Sequence, residues 1–231
     1  MNEPHPSDPR PAELLGGPKP AQLLDLGTRE FGEVWALQKD LVARRQRDEI
    51  PDTLILVEHP HVITLGRGTH KENVLAPGDM PLYEIERGGD VTYHGPGQLV
   101  GYPIFLLRQP ERDLHVYLRN LEEALIRTVG RFGIPGERKA GWTGVWTAGG
   151  ARKLASIGVA VKRWVTLHGF ALNVSTDLAR FAAINPCGLE ATAMGSMRSV
   201  LGDDIAFEDV KAVTRDEISS VFGRDLTHRP I

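Results

Sequence analysis

Residues 87–104 read RGGDVTYHGPGQLVGYPI, from Arg87-Gly88-Gly89 through His94-Gly95-Pro96-Gly97 to Tyr102-Pro103-Ile104. The stretch sets five glycines and two prolines among residues otherwise suited to strands. Glycine inside a strand pattern weakens it unless another group must approach closely or the chain must take φ > 0. The segment therefore reads as the floor of a ligand site. A long side chain such as Tyr93 or His94 beside Gly95 and Gly97 borders a cleft more readily than it fills a core, although a buried imidazole that only bridges backbone groups is the competing reading.

Outward from this floor the chain alternates groups of strands with single helices. Phe31, Val34, Trp35, Leu37, Leu41 and Val42 recur at helical spacing, and Arg44 to Asp48 close the run. Thr53–Glu58, Val62–Leu65 and Leu82–Glu86 are short, apolar or alternating, and bounded by Pro and Gly, as strands are. Leu114, Leu118, Leu121, Leu125, Val129 and Phe132 form one stripe behind Asp113, stopped by Gly133 and Pro135, which predicts a second helix. Gly144–Thr147, Lys153–Lys162 and Trp164–Val174 read as strands, the last two joined in a hairpin around Arg163. A short helix is predicted at Asp177–Ala183 and a longer one at Phe207–Phe222. Strands adjacent in sequence, with helices between groups of them, predict an α+β fold on a largely antiparallel or mixed sheet.

The 231 residues fit one domain, with 41% hydrophobic and 25% charged residues. Residues 1–20 hold six prolines and few large apolar side chains, so they read as a loose arm before a domain over 21–231. A net charge of −3 and a pI near 6.2 give no general attraction to nucleic acid or anionic membrane. No apolar run reaches the roughly 20 residues of a membrane span, and the N-terminus lacks a signal-peptide core. With a single cysteine, Cys187, this predicts a reducing, cytoplasmic setting.

Several matches fail. Gly149-Gly150-Ala151-Arg152-Lys153 lacks the spacing and the Ser/Thr of a phosphate loop, and His59-Pro60-His61 has no companion ligands, so neither a nucleotide nor a metal site is expected. Cys187 lies in Asn185-Pro186-Cys187-Gly188. It is either a small buried hydrophobe or an accessible nucleophile whose glycine neighbour removes bulk and leaves an amide for an oxyanion. Lys153 opens Lys153-Leu154-Ala155-Ser156-Ile157-Gly158, either as an exposed strand-entrance lysine or as a desolvated base. In Leu167-His168-Gly169-Phe170-Ala171-Leu172-Asn173, strand alternation would send His168, Phe170 and Leu172 to one face and the small residues Gly169 and Ala171 to the other.

Three separated motifs, RGGDVTYHGPGQ, RKLASIG and INPCG, resemble the signatures of the lipoyl(octanoyl) transferases, relatives of lipoate and biotin protein ligases, over about residues 23–222. The resemblance implies the single catalytic domain of those ligases. It also implies an acyltransferase that moves octanoyl from octanoyl-acyl carrier protein to a lysine of lipoyl domains, in 2-oxoacid dehydrogenase complexes and the glycine cleavage H protein, without cofactor. It makes Cys187 the acyl-accepting nucleophile and Lys153 its partner. Arg87, Gly88, Gly89, Tyr93, His94, Gly95, Ser156, Ile157, Gly158, His168, Gly169 and Ala171 become substrate-binding. Side-chain growth at Gly88 or Gly89 is expected to impair transfer. The rival readings are an ATP-dependent lipoate ligase of the same fold and an idle acyl- or carrier-binding module. Acidic partners would call for basic residues near the site, for which Arg44, Arg45, Arg47, Arg152, Lys162 and Arg163 are the candidates.

Overall fold

The computed structural model describes residues 18–186 and 191–228. Its elements are β1 (Lys19–Thr28), α1 (Phe31–Gln46), β2 (Asp52–Glu58), β3 (Val62–Leu65), β4 (Leu82–Glu84), β5 (Thr92–His94), β6 (Gln98–Ile104), α2 (Leu114–Arg131), β7 (Gly136–Lys139), β8 (Trp142–Thr147), β9 (Lys153–Lys162), β10 (Val165–Asn173), α3 (Met197–Leu201), α4 (Phe207–Phe222) and β11 (Arg224–His228). Eight strands make one mixed sheet in the order β11-β1-β2-β6-β10-β9-β8-β7. The pairs β11/β1 and β1/β2 are parallel and the others antiparallel. A second sheet, β4-β3-β5, carries the turn into the glycine-rich floor.

The unbroken apolar run of β2 follows from its place inside the large sheet, where both faces are covered. Leu54 and Leu56, with Leu99 of β6, pack against Leu121 and Leu125 of α2 and Ile218 of α4. Ile55, Val57 and Val100 meet Val34, Leu41 and Val42 of α1 on the opposite face. Asp113 caps α2 by accepting from the amides of His115 and Val116 at 2.9 and 3.1 Å. The hairpin expected around Arg163 is present, with both turn residues, Arg163 and Trp164, at positive φ (50° and 63°), as a two-residue turn with right-handed strand twist requires.

Three strands differ from expectation. β1, β7 and β11 are absent from the sequence reading, and Lys19 and Pro20, assigned there to the arm, already lie in β1. Residues 1–17 lie outside the described residues. The predicted helix at Asp177–Ala183 is a 3-10 turn over Leu178–Ala183, capped by Asp177. β11 is fastened by Arg224, fully buried between Asp52 and Glu111 at 2.7 Å each, while Arg45 of α1 holds the other oxygen of Asp52 at 2.7 Å.

Candidate active site

A cavity of about 620 Å³ is built against β6, β10 and β9 of the large sheet. Its floor is the Arg87–Gly89 segment, and the middle of β9 and of β10 forms one wall. β8 pairs with β9 only through Val145–Ala155 and Trp146–Lys153, which leaves the later part of β9 unpaired on that side. The Gly88 amide donates to the Val159 carbonyl there (2.9 Å), so the floor docks where β8 has departed. This approach needs small residues: a Cβ on Gly158 would stand 3.0 Å from Arg87 Cδ, and one on Gly66 would stand 2.3 Å from the Gly89 carbonyl oxygen.

The cavity brings together eleven of the residues singled out in the sequence: Lys153, Arg87, Gly88, Gly89, His94, Ser156, Ile157, Gly158, His168, Gly169 and Ala171 all line it. Arg87 is buried rather than exposed, donating to the carbonyl and hydroxyl of Thr64 at 2.8 and 3.0 Å. Lys153 is only 3% exposed, which removes the reading of a solvated strand-entrance lysine. Cys187 lies outside the described residues.

Tyr93 and Gly95 are corrections. In β5 successive side chains alternate, so Thr92 and His94 face the cavity and Tyr93 turns to the other side, edge-on to Phe181. Its hydroxyl bonds His61 Nδ1 at 2.7 Å, and a Cβ on Gly95 would fall 1.9 Å from that hydroxyl. Gly95 thus makes room for Tyr93. The two glycines of the floor also differ. Gly89 has φ +82°, whereas a Cβ on Gly88 would meet only the Val159 carbonyl oxygen at 3.6 Å, an ordinary contact, so only Gly89 has a steric reason to resist substitution.

His168 leaves the alternation predicted for its strand. It takes φ +58° just before the β10–β6 pairing begins at Phe170 and Gly101, and its own amide donates to the side-chain oxygen of Gln38 of α1 at 2.9 Å. Its Nε2 lies 3.4 Å from Glu86.

Gln98, part of the opening motif but given no role there, fixes the state of His94. Its amide nitrogen donates to the Tyr93 carbonyl (3.2 Å) and Asn173 Oδ1 (2.9 Å), so its oxygen must face His94 Nδ1, 2.7 Å away. His94 is therefore protonated on Nδ1 and turns Nε2, an acceptor, toward the cavity. The chain of bonds continues from Asn173 Nδ2 to the Gly195 carbonyl and from the Gly195 amide to the Lys153 carbonyl, each 2.9 Å. Tyr102, a wall residue not singled out in the sequence, donates its hydroxyl to His59 Nε2 at 2.8 Å, since His59 Nδ1 is committed to the Arg29 carbonyl at 2.7 Å.

Burial holds the imidazoles of His59 and His168 down at about 4, and burial together with the neighbouring His59 holds His94 at about 3. These folded values lie below the ordinary 6.5, so the unfolded chain binds protons first as pH falls. The stability each neutral imidazole contributes is complete above 6.5 and is lost as pH falls toward its folded value, at about 1.4 kcal/mol per pH unit. Urea unfolding midpoints are expected to drop steeply from pH 7 to pH 5, before the carboxylates titrate. A flat profile over that interval would show that these rings are charged in the folded protein.

The lipoyl protein ligase A/B catalytic domain model matches residues 30–219. The chain belongs to this family. It is 54% identical to the octanoyltransferase of Geobacter metallireducens over 81% of this chain and 86% of that one. It is 50% identical to the octanoyltransferase of Gloeobacter violaceus over 87% and 90%. Among solved structures, lipoate-protein ligase A bound with ATP superposes with a TM-score of 0.74 at 17% identity, over 92% of this chain and 90% of that one. The biotin protein ligase of Aquifex aeolicus superposes with 0.51 at 12%, over 88% and 68%. These likenesses establish the family fold, the single mixed-sheet α+β domain expected from the sequence.

Proposed function

We propose that this chain is an octanoyltransferase of lipoate biosynthesis that works through a thioester on Cys187. In this reading it accepts octanoyl from octanoyl-acyl carrier protein. It delivers the group to the lysine ε-amine of lipoyl domains in 2-oxoacid dehydrogenase complexes and the glycine cleavage H protein. The observation that carries the reading is the seat of Lys153, a lysine buried at the cavity wall, where a charge is costly to keep without a purpose. Identity of about half to octanoyltransferases along most of the chain supports the reaction.

The surroundings of Cys187 support its role. Before it, the Asn185 amide bonds the Asn73 carbonyl at 2.8 Å. After it, Met194 bridges Lys153 and the Gly195 amide bonds the Lys153 carbonyl. Both flanks of the segment thus fasten to the cavity, one of them to Lys153 itself. Lys153, in its uncharged form, takes the thiol proton, and the thiolate attacks the octanoyl thioester. A new C–S bond forms as the carrier C–S bond breaks, and the leaving thiolate recovers the proton. The acceptor amine then attacks, forming the C–N bond and releasing Cys187, while its surplus proton passes through Lys153. Thioester to amide is downhill, so no nucleotide enters.

The test is intact-mass spectrometry of the purified chain with octanoyl-acyl carrier protein and no nucleotide. One octanoyl group should appear, map to Cys187, and disappear on adding a lipoyl domain. Strict dependence on ATP would replace this reading with that of a ligase.

A further inference from the structure

We propose that Arg67 and Lys71 bind the phosphodiester of the phosphopantetheine arm that bears the octanoyl thioester. The inference rests on the reading that the donor is a carrier-bound thioester. Gly68 and His70 lie at the lip of the cavity, both exposed. The residues beside them, Arg67 and Lys71, are exposed cations with no hydrogen bond, ion pair or ring contact from their side chains among the described residues. Glu72 faces His70 instead, at 3.8 Å, and Asp90 is occupied by the amides of Val91 (2.7 Å) and His70 (3.3 Å) and by the Asn73 side chain.

The basic residues expected from the sequence to meet an acidic partner are mostly committed elsewhere. Arg44 pairs with Asp40 at 3.5 Å, Arg47 with Glu49, and Lys162 with Glu86 at 3.1 Å, while Arg45 is held by Asp48 and Asp52. Arg152 reaches the Thr192 carbonyl. Arg163, at the β9–β10 turn, has no side-chain partner among the described residues, but neither it nor the residue on either side of it lines the cavity.

The loop that carries Arg67 and Lys71 is held firmly. The Arg67 amide donates to the Arg87 carbonyl and the Gly68 amide to the Gly89 carbonyl, both at 3.0 Å, and the Asn73 amide closes a turn on the His70 carbonyl at 2.9 Å. Gly66, with no space for a Cβ, brings this backbone against the floor. The backbone thus holds two cationic residues beside the lip of a cavity whose interior receives the thioester, with their side chains free to reach a ligand at the mouth. The arm is elongated, so its phosphate stays at the mouth when the far end is inside. Arginine and lysine are the usual partners of a phosphate oxygen, and such charge-assisted bonds are the stronger kind.

The test compares three octanoyl donors, acyl carrier protein, 4′-phosphopantetheine and pantetheine, with the unaltered chain and an Arg67→Gln/Lys71→Gln double variant of unchanged melting temperature. The double variant should raise KM for the first two donors about tenfold or more, leave kcat unchanged, and flatten the salt dependence of kcat/KM. KM for octanoyl-pantetheine, which has no phosphate, should stay within twofold. An equal rise for all three donors would mean that the loop only shapes the cavity. A rise for the carrier protein alone would assign the cations to the carrier's acidic surface, and no rise at all would leave them without this role. Each of these outcomes overturns the phosphate assignment while the unaltered chain still transfers octanoyl. Failure of the unaltered chain to transfer from any thioester would instead sink the proposed function.

Discussion

Lys153→Ala should slow octanoyl loading of Cys187 at pH 7 by about 100- to 10,000-fold, the range for loss of a positioned general base. The loss should shrink with rising pH, because a free thiol near pKa 8.5 supplies its own thiolate in alkaline solution. Transfer to the lipoyl amine should remain impaired there, since the amine proton still needs an acceptor. Cys187→Ala removes the atom that carries the acyl group and should give no adduct at any pH. Intact mass followed against time from pH 6.5 to 9.5 separates the two. Wild-type loading by Lys153→Ala at pH 7, or an octanoyl adduct on Cys187→Ala, would show that the roles are assigned wrongly.

Much of the cavity was legible because its requirements are local. Glycines at 88, 89, 158 and 169 permit close backbone approach wherever they occur, and the Arg87–Gly89, Lys153–Gly158 and His168–Ala171 segments that contain them meet around one cavity. The α2 stripe was equally legible as a helix, but its two ends meet different surroundings: Leu114 is 43% exposed and with Leu118 lines the cavity, while Leu121 and Leu125 fill the core. Apolar spacing does not distinguish a face that meets protein from one that meets a ligand. Tyr93 was within reach, since alternation from His94 would have turned it away. His168 was not, because its amide is bonded to Gln38, a residue of α1 far away in sequence. β1 and β11 were missed for a related reason. They are held by parallel pairing across nearly the whole chain and by the ion pairs of Arg224, neither of which leaves a local pattern.

Gly144 in β8 decides whether Lys153 has a seat, and Gly144→Ala should cost both stability and chemistry. The residue sits at φ +133°, where L side chains are strained. A Cβ there would stand 2.4 Å from the Ala155 carbonyl oxygen and 2.8 Å from Lys153 Cε. Its position is imposed from beneath: Glu122 of α2, fully buried and paired with Arg119 and Arg138, accepts the Gly144 amide at 3.0 Å. The strand cannot shift outward without abandoning that buried carboxylate, so the clash must be relieved by Lys153 or by the β8–β9 pairing. Strain and overpacking each cost about 1–3 kcal/mol, and in a chain of this size each kcal/mol lowers the melting temperature by about 2–4 °C. Gly133→Ala is the control, because Gly133 also has positive φ (78°) but nothing within 4 Å of its would-be Cβ. It should lose about 1 kcal/mol and keep its rate. Gly144→Ala should lose more, and at a temperature where it remains folded it should load octanoyl at least tenfold more slowly than the control. Its loading deficit should ease above pH 8.5 as that of Lys153→Ala does, because both leave the thiol intact and disturb only its base. Equal rates for the two glycine variants would mean that Lys153 finds its position without Gly144.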